Sequence, residues 1–225
     1  MIDPQLVIFD CDGVLVDSEL LSCRSLTEAL AEQGIEIEVE KALELFTGRN
    51  VAAVQHHYRA LGLGLPDDFG VRLARRVREA FSNALSPIDG VAAVLERLRV
   101  PRCVASSSDL ERVRFALELT GLARYFGERL YTSQMVEHGK PAPDLFLHAA
   151  AAMGADPRRT LVIEDSVSGV TAARAAGMTV WGFVGGSHYA SRDGRAILAA
   201  AGADRIFSHM SEFWPKGLRS ANGQR

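Results

Sequence analysis

Two aspartates end the most apolar segment near the start of the chain, and their spacing suggests a chemical role. Asp10 and Asp12 close the run LVIFDCD (6–12), with only Cys11 between them. Residues two apart in an extended segment share a face, so the two carboxylates start on the same side while Cys11 faces away and is expected to pack. Neighbouring acids repel each other or take up protons unless a positive charge compensates them. The pair therefore predicts a site that holds a cation.

Further polar residues follow other apolar runs of the chain. Ser106 ends one run, Glu164 and Asp165 end another, and Lys140 follows a third. Ligands of open α/β sheets bind outside the carboxyl ends of the strands, so we expect these groups on one rim with Asp10. Carboxylate and carbonyl oxygens suit Mg²⁺, which is the usual cation where phosphate also binds. A lysine and a serine hydroxyl complete a set suited to a dianionic phosphate.

Each of these features also has a purely structural interpretation. An aspartate after a strand often belongs to a turn or a helix cap. The pair Glu164-Asp165 is placed to cap a helix that opens at Ser166. Ser106 begins the stretch SSSD, in which Ser108 or Asp109 is expected to cap a helix. The combination favours phosphate chemistry, because all the features fall at predicted strand ends in one topological order.

The elements that must position these residues alternate between strands and helices. Alternation of this kind predicts an α/β fold, a doubly wound parallel sheet of the Rossmann-like type with helices on both faces. Apolar residues at consecutive positions, as in Leu161-Val162-Ile163, are typical of strands covered on both sides. The predicted strands are 6–10, 102–106, 129–133, 160–165, 179–184 and 204–208, and helices are predicted at 109–120, 142–153, 166–176 and 193–201.

One interval breaks the alternation. Residues 17–86 contain no convincing strand and read as amphipathic helices, after which Pro87-Ile88-Asp89-Gly90 restores the α/β pattern. We expect a small inserted α-helical cap domain at 17–86, joined by hinges near Asp17 and Ser86 to a discontinuous catalytic core formed by 1–16 and 87–225. Inserted domains of this kind often close over active sites.

Composition excludes several classes of function. The chain has 225 residues and a net charge of −3, without the basic stripe of a nucleic-acid binder. No apolar run approaches the roughly 20 residues of a membrane helix. The chain starts MIDPQ, with an acid where a signal peptide carries Lys or Arg, so we expect a cytoplasmic protein. Three scattered cysteines predict no disulfide framework.

Four motifs carry a family resemblance. They are DCDGVLVDS after the first strand, CVASS at the second, KPAPD around Lys140, and VIEDSVSGVTAARAAGM at the acidic pair. In this order they resemble the haloacid dehalogenase-like hydrolase superfamily over nearly the whole chain. The chain looks most like the sugar-phosphate branch, which contains β-phosphoglucomutase and 6-phosphogluconate phosphatase-like proteins.

The resemblance implies a role for each core residue. Asp10 would be the nucleophile and Asp12 the general acid/base. Ser106 would bind the transferring phosphoryl group, and Lys140 would pair with Asp10 and the phosphate oxygens. Dehalogenases of this superfamily lack the second acid, because a halide leaves without a proton, so the presence of Asp12 favours phosphoryl transfer.

The resemblance also implies a Mg²⁺ cofactor. Its ligands would be Asp10, Asp165, Glu164 directly or through water, and Asp12 through its backbone carbonyl. The expected reaction is hydrolysis of a small phosphorylated sugar or sugar acid through an aspartyl phosphate, with the phosphomonoester as the partner and no nucleic acid or membrane. We expect a monomer, with a homodimer as the alternative.

Two other functions stay open at this point. A β-phosphoglucomutase-like phosphomutase would use the same intermediate, although several such mutases carry a histidine where this chain has Ser22. A phospho-accepting receiver domain also combines acids, a Ser or Thr and a Lys, but it lacks a helical insert of seventy residues.

Specificity is expected to come from the helical insert. Gly48 and Arg49, in the loop LFTGRN (45–50), are candidate substrate-binding residues together with Ser107. The arginines of the helix near 72–78 are expected to form a solvated face, with one of them free to point at the cleft. The run GGSH (185–188) is either a simple loop or part of the entrance.

Overall fold

A six-stranded parallel sheet forms the centre of the computed structural model, which describes residues 3–214. Its spatial order is β3-β2-β1-β4-β5-β6, and all six predicted strands are present. The predicted fold class is confirmed, whereas the predicted outer ends of the core at residues 1 and 225 lie outside the described residues. The strands are β1 Leu6–Phe9, β2 Arg102–Ser106, β3 Leu130–Thr132, β4 Thr160–Glu164, β5 Thr179–Phe183 and β6 Arg205–Phe207.

The helices follow the predicted pattern within a residue or two at most ends. Among residues 3–214, none of them is both long and apolar enough to cross a membrane. Of the two expected caps for the helix after β2, Ser108 and Asp109, the structure uses Asp109, which accepts a hydrogen bond from the backbone N–H of Arg112. The helices are α1 Glu19–Ala31, α2 Val39–Phe46, α3 Val51–Ala60, α4 Phe69–Ala84, α5 Val91–Arg97, α6 Leu110–Leu119, α7 Asp144–Ala152, α8 Val167–Ala175 and α9 Gly194–Ala200.

Strand β1 is covered on both faces, which explains its unbroken apolar sequence. All four residues of β1 are fully buried. Val7 and Phe9 belong to one hydrophobic cluster, while Leu6 and Ile8 belong to the cluster on the opposite face. Phe9 packs in that first cluster with its ring centroid 6.2 Å from that of Phe126.

The sheet order reverses between β1 and β4, and this reversal determines where a ligand can bind. Successive strands run outward in one direction from β1 through β2 to β3, and in the other from β4 to β6. The helices on the two sides therefore diverge at this point and leave a crevice at the carboxyl ends of the strands. In register, Phe9 pairs with both Val104 and Ile163. The residues that follow β1, β2 and β4 consequently emerge side by side.

Helices α1 to α4 form a segment in which α1 packs against α2 and α4, and its apolar side chains belong to the same hydrophobic cluster as Phe9 of β1. Leu30, Leu43, Phe69 and Phe81 are among its buried side chains. The two connections of this segment to the core lie side by side. Val16 forms an isolated β-bridge with Pro87, and the N–H of Asp17 donates to the carbonyl of Ser86 at 2.9 Å. The two connections therefore lie together at the positions where hinges are predicted.

Candidate functional site

Lys140 joins the ends of three strands. Its ammonium group is buried and donates to Asp10 Oδ1 at 2.9 Å, to the carbonyl oxygen of Ala105 at 3.0 Å and to Glu164 Oε1 at 2.5 Å. Burial lowers the pKa of Lys140, but the two carboxylates outweigh it and hold the pKa above its usual value. The side chain is therefore a fixed positive charge. Although a lysine before a proline is more often a solvated side chain, Lys140 is buried.

Three buried carboxylates meet beside this lysine. One oxygen from each of Asp10, Glu164 and Asp165 lies within 4.8 Å of the others. Burial raises the pKa of Asp10 and of Asp165 well above the usual range, and the neighbouring acids add to the effect, while Lys140 opposes it. One ammonium charge does not balance three acids in a dry site.

Asp165 has the least protein compensation of the three. Both of its carboxylate oxygens are buried without a hydrogen-bond partner among residues 3–214. His188 Nε2 lies 3.1 Å from Asp165 Oδ2 without hydrogen-bond geometry, and burial lowers the pKa of this histidine. Orphaned carboxylate oxygens within reach of two other acids form a donor set that fits a hard divalent cation. The predicted Mg²⁺ ligands Asp10, Glu164 and Asp165 therefore suit such an ion.

Two glycines allow the acids to approach the backbone this closely. Gly13 has a φ of 76°, and a Cβ atom there would lie 1.8 Å from Asp165 Oδ2. A Cβ at Gly169, in the first turn of α8, would lie 1.8 Å from Glu164 Oε1. Ser166 caps α8 and also donates to Glu164 Oε2 from its backbone N–H at 3.0 Å and its hydroxyl at 2.9 Å. The acidic pair thus precedes the helix cap and does not supply it.

Asp12 occupies a different environment from Asp10. Its Oδ1 accepts from the Ser18 hydroxyl at 2.6 Å and from Arg112 Nη2 at 2.8 Å, and its Oδ2 accepts from the Ser108 hydroxyl at 2.7 Å. Ser106 Oγ lies 3.5 Å from Oδ2. Burial raises the pKa of Asp12, but Arg112 and these hydroxyls outweigh it and hold the pKa below the usual value. The side chain of Asp12 is not in the three-acid cluster, so its predicted metal contact through the backbone carbonyl stays a prediction.

A cavity of about 900 Å³ lies between the helical segment and this rim. Asp10, Asp12 and Ser106 form part of its wall, and so do the three candidate substrate-binding residues. From α4, both Arg75 and Arg78 reach this cavity, whereas Arg72 and Arg76 pair with acids on the surface. We expected a mainly solvated face with one arginine at the cleft, but two arginines of α4 reach the cavity. The candidate substrate-binding residues on the wall are Gly48, Arg49 and Ser107.

Gly48 brings the helical segment into contact with the start of α8. Its φ is 71°, and a Cβ there would lie 2.6 Å from that of Ser166. The Ser168 hydroxyl donates to the Gly48 carbonyl at 3.4 Å, and the Gly48 N–H donates to Glu19 Oε1 at 3.4 Å. Glu19 also lines the cavity, and burial together with Asp165 raises its pKa to about 8. Arg49 next in sequence is exposed.

Several site residues were not predicted from the sequence. Ser18 is the last residue of the first motif and Glu19 follows it directly, so their proximity to Asp12 was a detectable signal. Arg112 lies a hundred positions away, on a helix surface with no local pattern to distinguish it. His188 was considered only as part of a loop or entrance, but it is buried against Asp165 and is absent from the cavity wall.

Comparison with known proteins identifies the family that shares this arrangement. The sequence model of the haloacid dehalogenase-like hydrolases matches residues 4–177. The 6-phosphogluconate phosphatase of Escherichia coli is 29% identical over 193 residues, which cover 82% of this chain and 84% of that protein. The β-phosphoglucomutase of Mycobacterium bovis is 31% identical, with 91% of this chain and 89% of the relative covered.

A solved structure agrees with these sequence matches. A haloacid dehalogenase-like protein from Agrobacterium tumefaciens superposes with a TM-score of 0.81 and 36% sequence identity. The superposition covers 94% of this chain and 96% of the other. The similarity therefore includes the helical segment as well as the sheet.

Proposed function

The chain belongs to the haloacid dehalogenase-like hydrolase family, and we propose that it is a Mg²⁺-dependent phosphatase of small phosphorylated sugars or sugar acids. The observation that carries the proposal is the contrast between two carboxylates only two residues apart. Asp10 lies beside Lys140 and the acidic cluster, whereas Asp12 is held by hydroxyls and Arg112. Paired acids in different environments can take different roles in one reaction.

Asp10 is the proposed nucleophile. A carboxylate oxygen attacks phosphorus, the bond from phosphorus to the ester oxygen breaks, and an aspartyl phosphate forms. Lys140 holds Asp10 Oδ1 at 2.9 Å and places a positive charge beside the incoming phosphoryl oxygens. Ser106, buried at the end of β2, is the proposed hydrogen-bond donor to the same group.

Asp12 is the proposed general acid/base. The proton that it gives to the departing alcohol oxygen enters with the ester, because Arg112 holds the pKa of Asp12 below its usual value. Asp12 then recovers a proton from the water that attacks the aspartyl phosphate. The proton count of the protein is therefore the same before and after each turnover. The hydroxyls of Ser18 and Ser108 fix the direction of the carboxylate during both steps.

The cation would be held by Asp10, Glu164 and Asp165, with the backbone carbonyl of Asp12 as a further proposed ligand. When bound, it neutralises negative charge on the phosphoryl oxygens, which is where phosphoryl transfer needs most stabilisation.

The helical segment 17–86 is the proposed cap domain over the site. Gly48, Arg49 and Ser107 line the cavity beside the reacting groups and are the proposed contacts to the alcohol part of the ester. A cavity of about 900 Å³ is large enough for a phosphorylated sugar. The names of the relatives support substrates of this class.

A phosphomutase that uses the same aspartyl phosphate is the second candidate, because one relative is a β-phosphoglucomutase. Ser22, where several such mutases carry histidine, instead accepts a hydrogen bond from Arg112 at 2.9 Å. A mutase would interconvert sugar phosphate isomers without net release of phosphate.

The test is release of inorganic phosphate from an aryl phosphate in the presence of Mg²⁺. We expect release by the native protein, loss of release in Asp10→Asn, and unchanged release in the matched control Asp67→Asn, whose side chain is on an exposed surface. Undiminished release by Asp10→Asn would refute the assignment of the nucleophile. Isomer conversion without phosphate release would favour the mutase.

A further inference from the structure

Arg112 is a partly buried cation at the position where the alcohol part of an ester would lie. It occupies the first turn of α6, where Asp109 caps the helix through the Arg112 backbone N–H at 2.8 Å. Its Nη2 donates to Asp12 Oδ1 at 2.8 Å and to the Ser22 hydroxyl at 2.9 Å. Its guanidinium centre lies 4.9 Å from the centroid of the Phe81 ring. The side chain thus connects the acid/base with two helices of the cap.

The hydrogen-bonding capacity of this guanidinium is only partly used. Within residues 3–214, Nε is buried without a partner, and Nη1 makes no hydrogen bond. The side chain is 26% exposed and forms part of the cavity wall. An unpaired buried donor is unfavourable, and a guanidinium is suited to a planar, charged acceptor such as a carboxylate.

The charges around Arg112 also favour an anionic ligand. Each carboxylate oxygen of Asp12 also accepts from a hydroxyl, Ser18 at 2.6 Å and Ser108 at 2.7 Å, so neither oxygen depends on Arg112 alone for a hydrogen bond. Arg49 and Arg75 line the same cavity and form no ion pair within the described part of the chain. The cavity wall therefore carries four arginines against three acids besides Asp10 and Asp12: Arg49, Arg75, Arg78 and Arg112 against Glu19, Asp109 and Glu111.

We propose that Arg112 determines specificity by binding a carboxylate on the alcohol part of the ester, so that the protein prefers phosphorylated hydroxy acids, sugar acids among them, to neutral phosphorylated sugars. The inference rests on the proposed phosphatase activity, because it takes Asp12 as the group next to the leaving oxygen. It narrows that activity to one substrate class and assigns the selection to a single side chain.

Matched pairs of substrates test the proposal. In each pair the carbon chain is the same and only a carboxylate is replaced by a hydroxymethyl group: 3-phosphoglycerate against glycerol 3-phosphate, and 6-phosphogluconate against sorbitol 6-phosphate. The values of kcat/KM for both pairs, and for an aryl phosphate, are measured in the native protein, Arg112→Gln and Arg112→Lys. Arg114→Gln is the control, because Arg114 lies on the same helix, pairs with Glu128 and is absent from the wall of the cavity.

We expect the native protein and Arg114→Gln to favour the carboxylate member of at least one pair about 10- to 100-fold, as for a charged hydrogen bond. In Arg112→Gln this ratio should fall to near one, and in Arg112→Lys it should be intermediate. Aryl phosphate hydrolysis should fall less than hydrolysis of the carboxylate substrate.

Three results would overturn the proposal. The native protein could show no carboxylate preference in either pair, or the preference could survive in Arg112→Gln. Alternatively, Arg112→Gln could lower kcat/KM equally for both members of a pair and for the aryl phosphate, which would assign Arg112 to positioning of Asp12 alone. A native protein that hydrolyses none of the five esters would instead refute the proposed phosphatase activity itself.

Discussion

Replacement of Lys140 by methionine tests whether this one ammonium group holds the acidic cluster together. The lysine is 1% exposed and contacts both Asp10 and Glu164, which are themselves 6% and 0% exposed at their side chains. Methionine fills a similar volume without the charge. The variant therefore leaves three carboxylates buried without a protein cation, while the surrounding packing changes little.

The expected cost follows from the burial of these groups. Loss of one partner from a buried ion pair destabilises a protein by about 3–5 kcal/mol, because the remaining charge stays uncompensated. Burial already raises the pKa of Asp10 and of Asp165, and without Lys140 the largest opposing influence on both is lost. When the folded-state pKa of an acid is raised, the protein loses stability as the pH increases from the pKa in the unfolded chain to the pKa in the folded protein. The deficit should therefore be larger at pH 8 than at pH 5.

Urea unfolding in EDTA, at both pH values, measures this effect directly. Lys41→Met is the matched control, because Lys41 forms only an exposed pair with Glu44 and should change stability little. Addition of Mg²⁺ should reduce the deficit of Lys140→Met, since a cation at the cluster replaces part of the lost charge. A Lys140→Met protein within about 1 kcal/mol of the native protein at pH 8 in EDTA would refute the reasoning.

Two further perturbations follow from the same geometry. Gly13→Ala should lower the free energy of unfolding by about 1–3 kcal/mol and weaken activation by Mg²⁺, because the new Cβ would lie 1.8 Å from Asp165 Oδ2. Gly127→Ala is the control, since Gly127 also has a positive φ but has open space around it. It should destabilise the protein less and leave Mg²⁺ titrations of phosphate release unchanged. Between pH 4.5 and about 8, native Glu19 keeps a proton that the unfolded chain has released, so the native protein loses stability as the pH rises through this range. Glu19→Gln should not show this loss. At 1.36 kcal/mol per pKa unit this difference has an upper limit of about 5 kcal/mol, and equal pH dependence of urea unfolding in EDTA for Glu19→Gln and the native protein would contradict it.

Much of the fold was predictable because its signals are local. Unbroken apolar runs such as Leu161-Val162-Ile163 mark strands covered on both faces, and their alternation with helices predicts the parallel sheet. The four motifs that carry the family resemblance lie at the ends of these strands. The match to the haloacid dehalogenase-like hydrolases confirms that resemblance.

The remainder of the site depends on contacts between distant segments. Arg112 reaches Asp12 only because α6 begins beside the end of β1 in the folded sheet. His188 becomes a neighbour of Asp165 through a loop after β5 that has no distinctive pattern. Arg75 and Arg78 face the cavity because α4 packs over the rim, and a helical arginine alone does not reveal which side it faces. Pairwise packing of this kind leaves no periodic trace in a single sequence.

The most direct test of the account is chemical trapping of the phosphoryl group on Asp10. An aryl phosphate labelled at phosphorus is mixed with native protein and with Asp12→Asn in Mg²⁺, quenched in acid after milliseconds to seconds, and the labelled peptide is sequenced. Because an aryl leaving group departs without needing a proton, Asp12→Asn should form the aspartyl phosphate but hydrolyse it slowly, so that label accumulates on Asp10. Release of phosphate with no label on Asp10 in either protein, or label on another residue, would contradict the account.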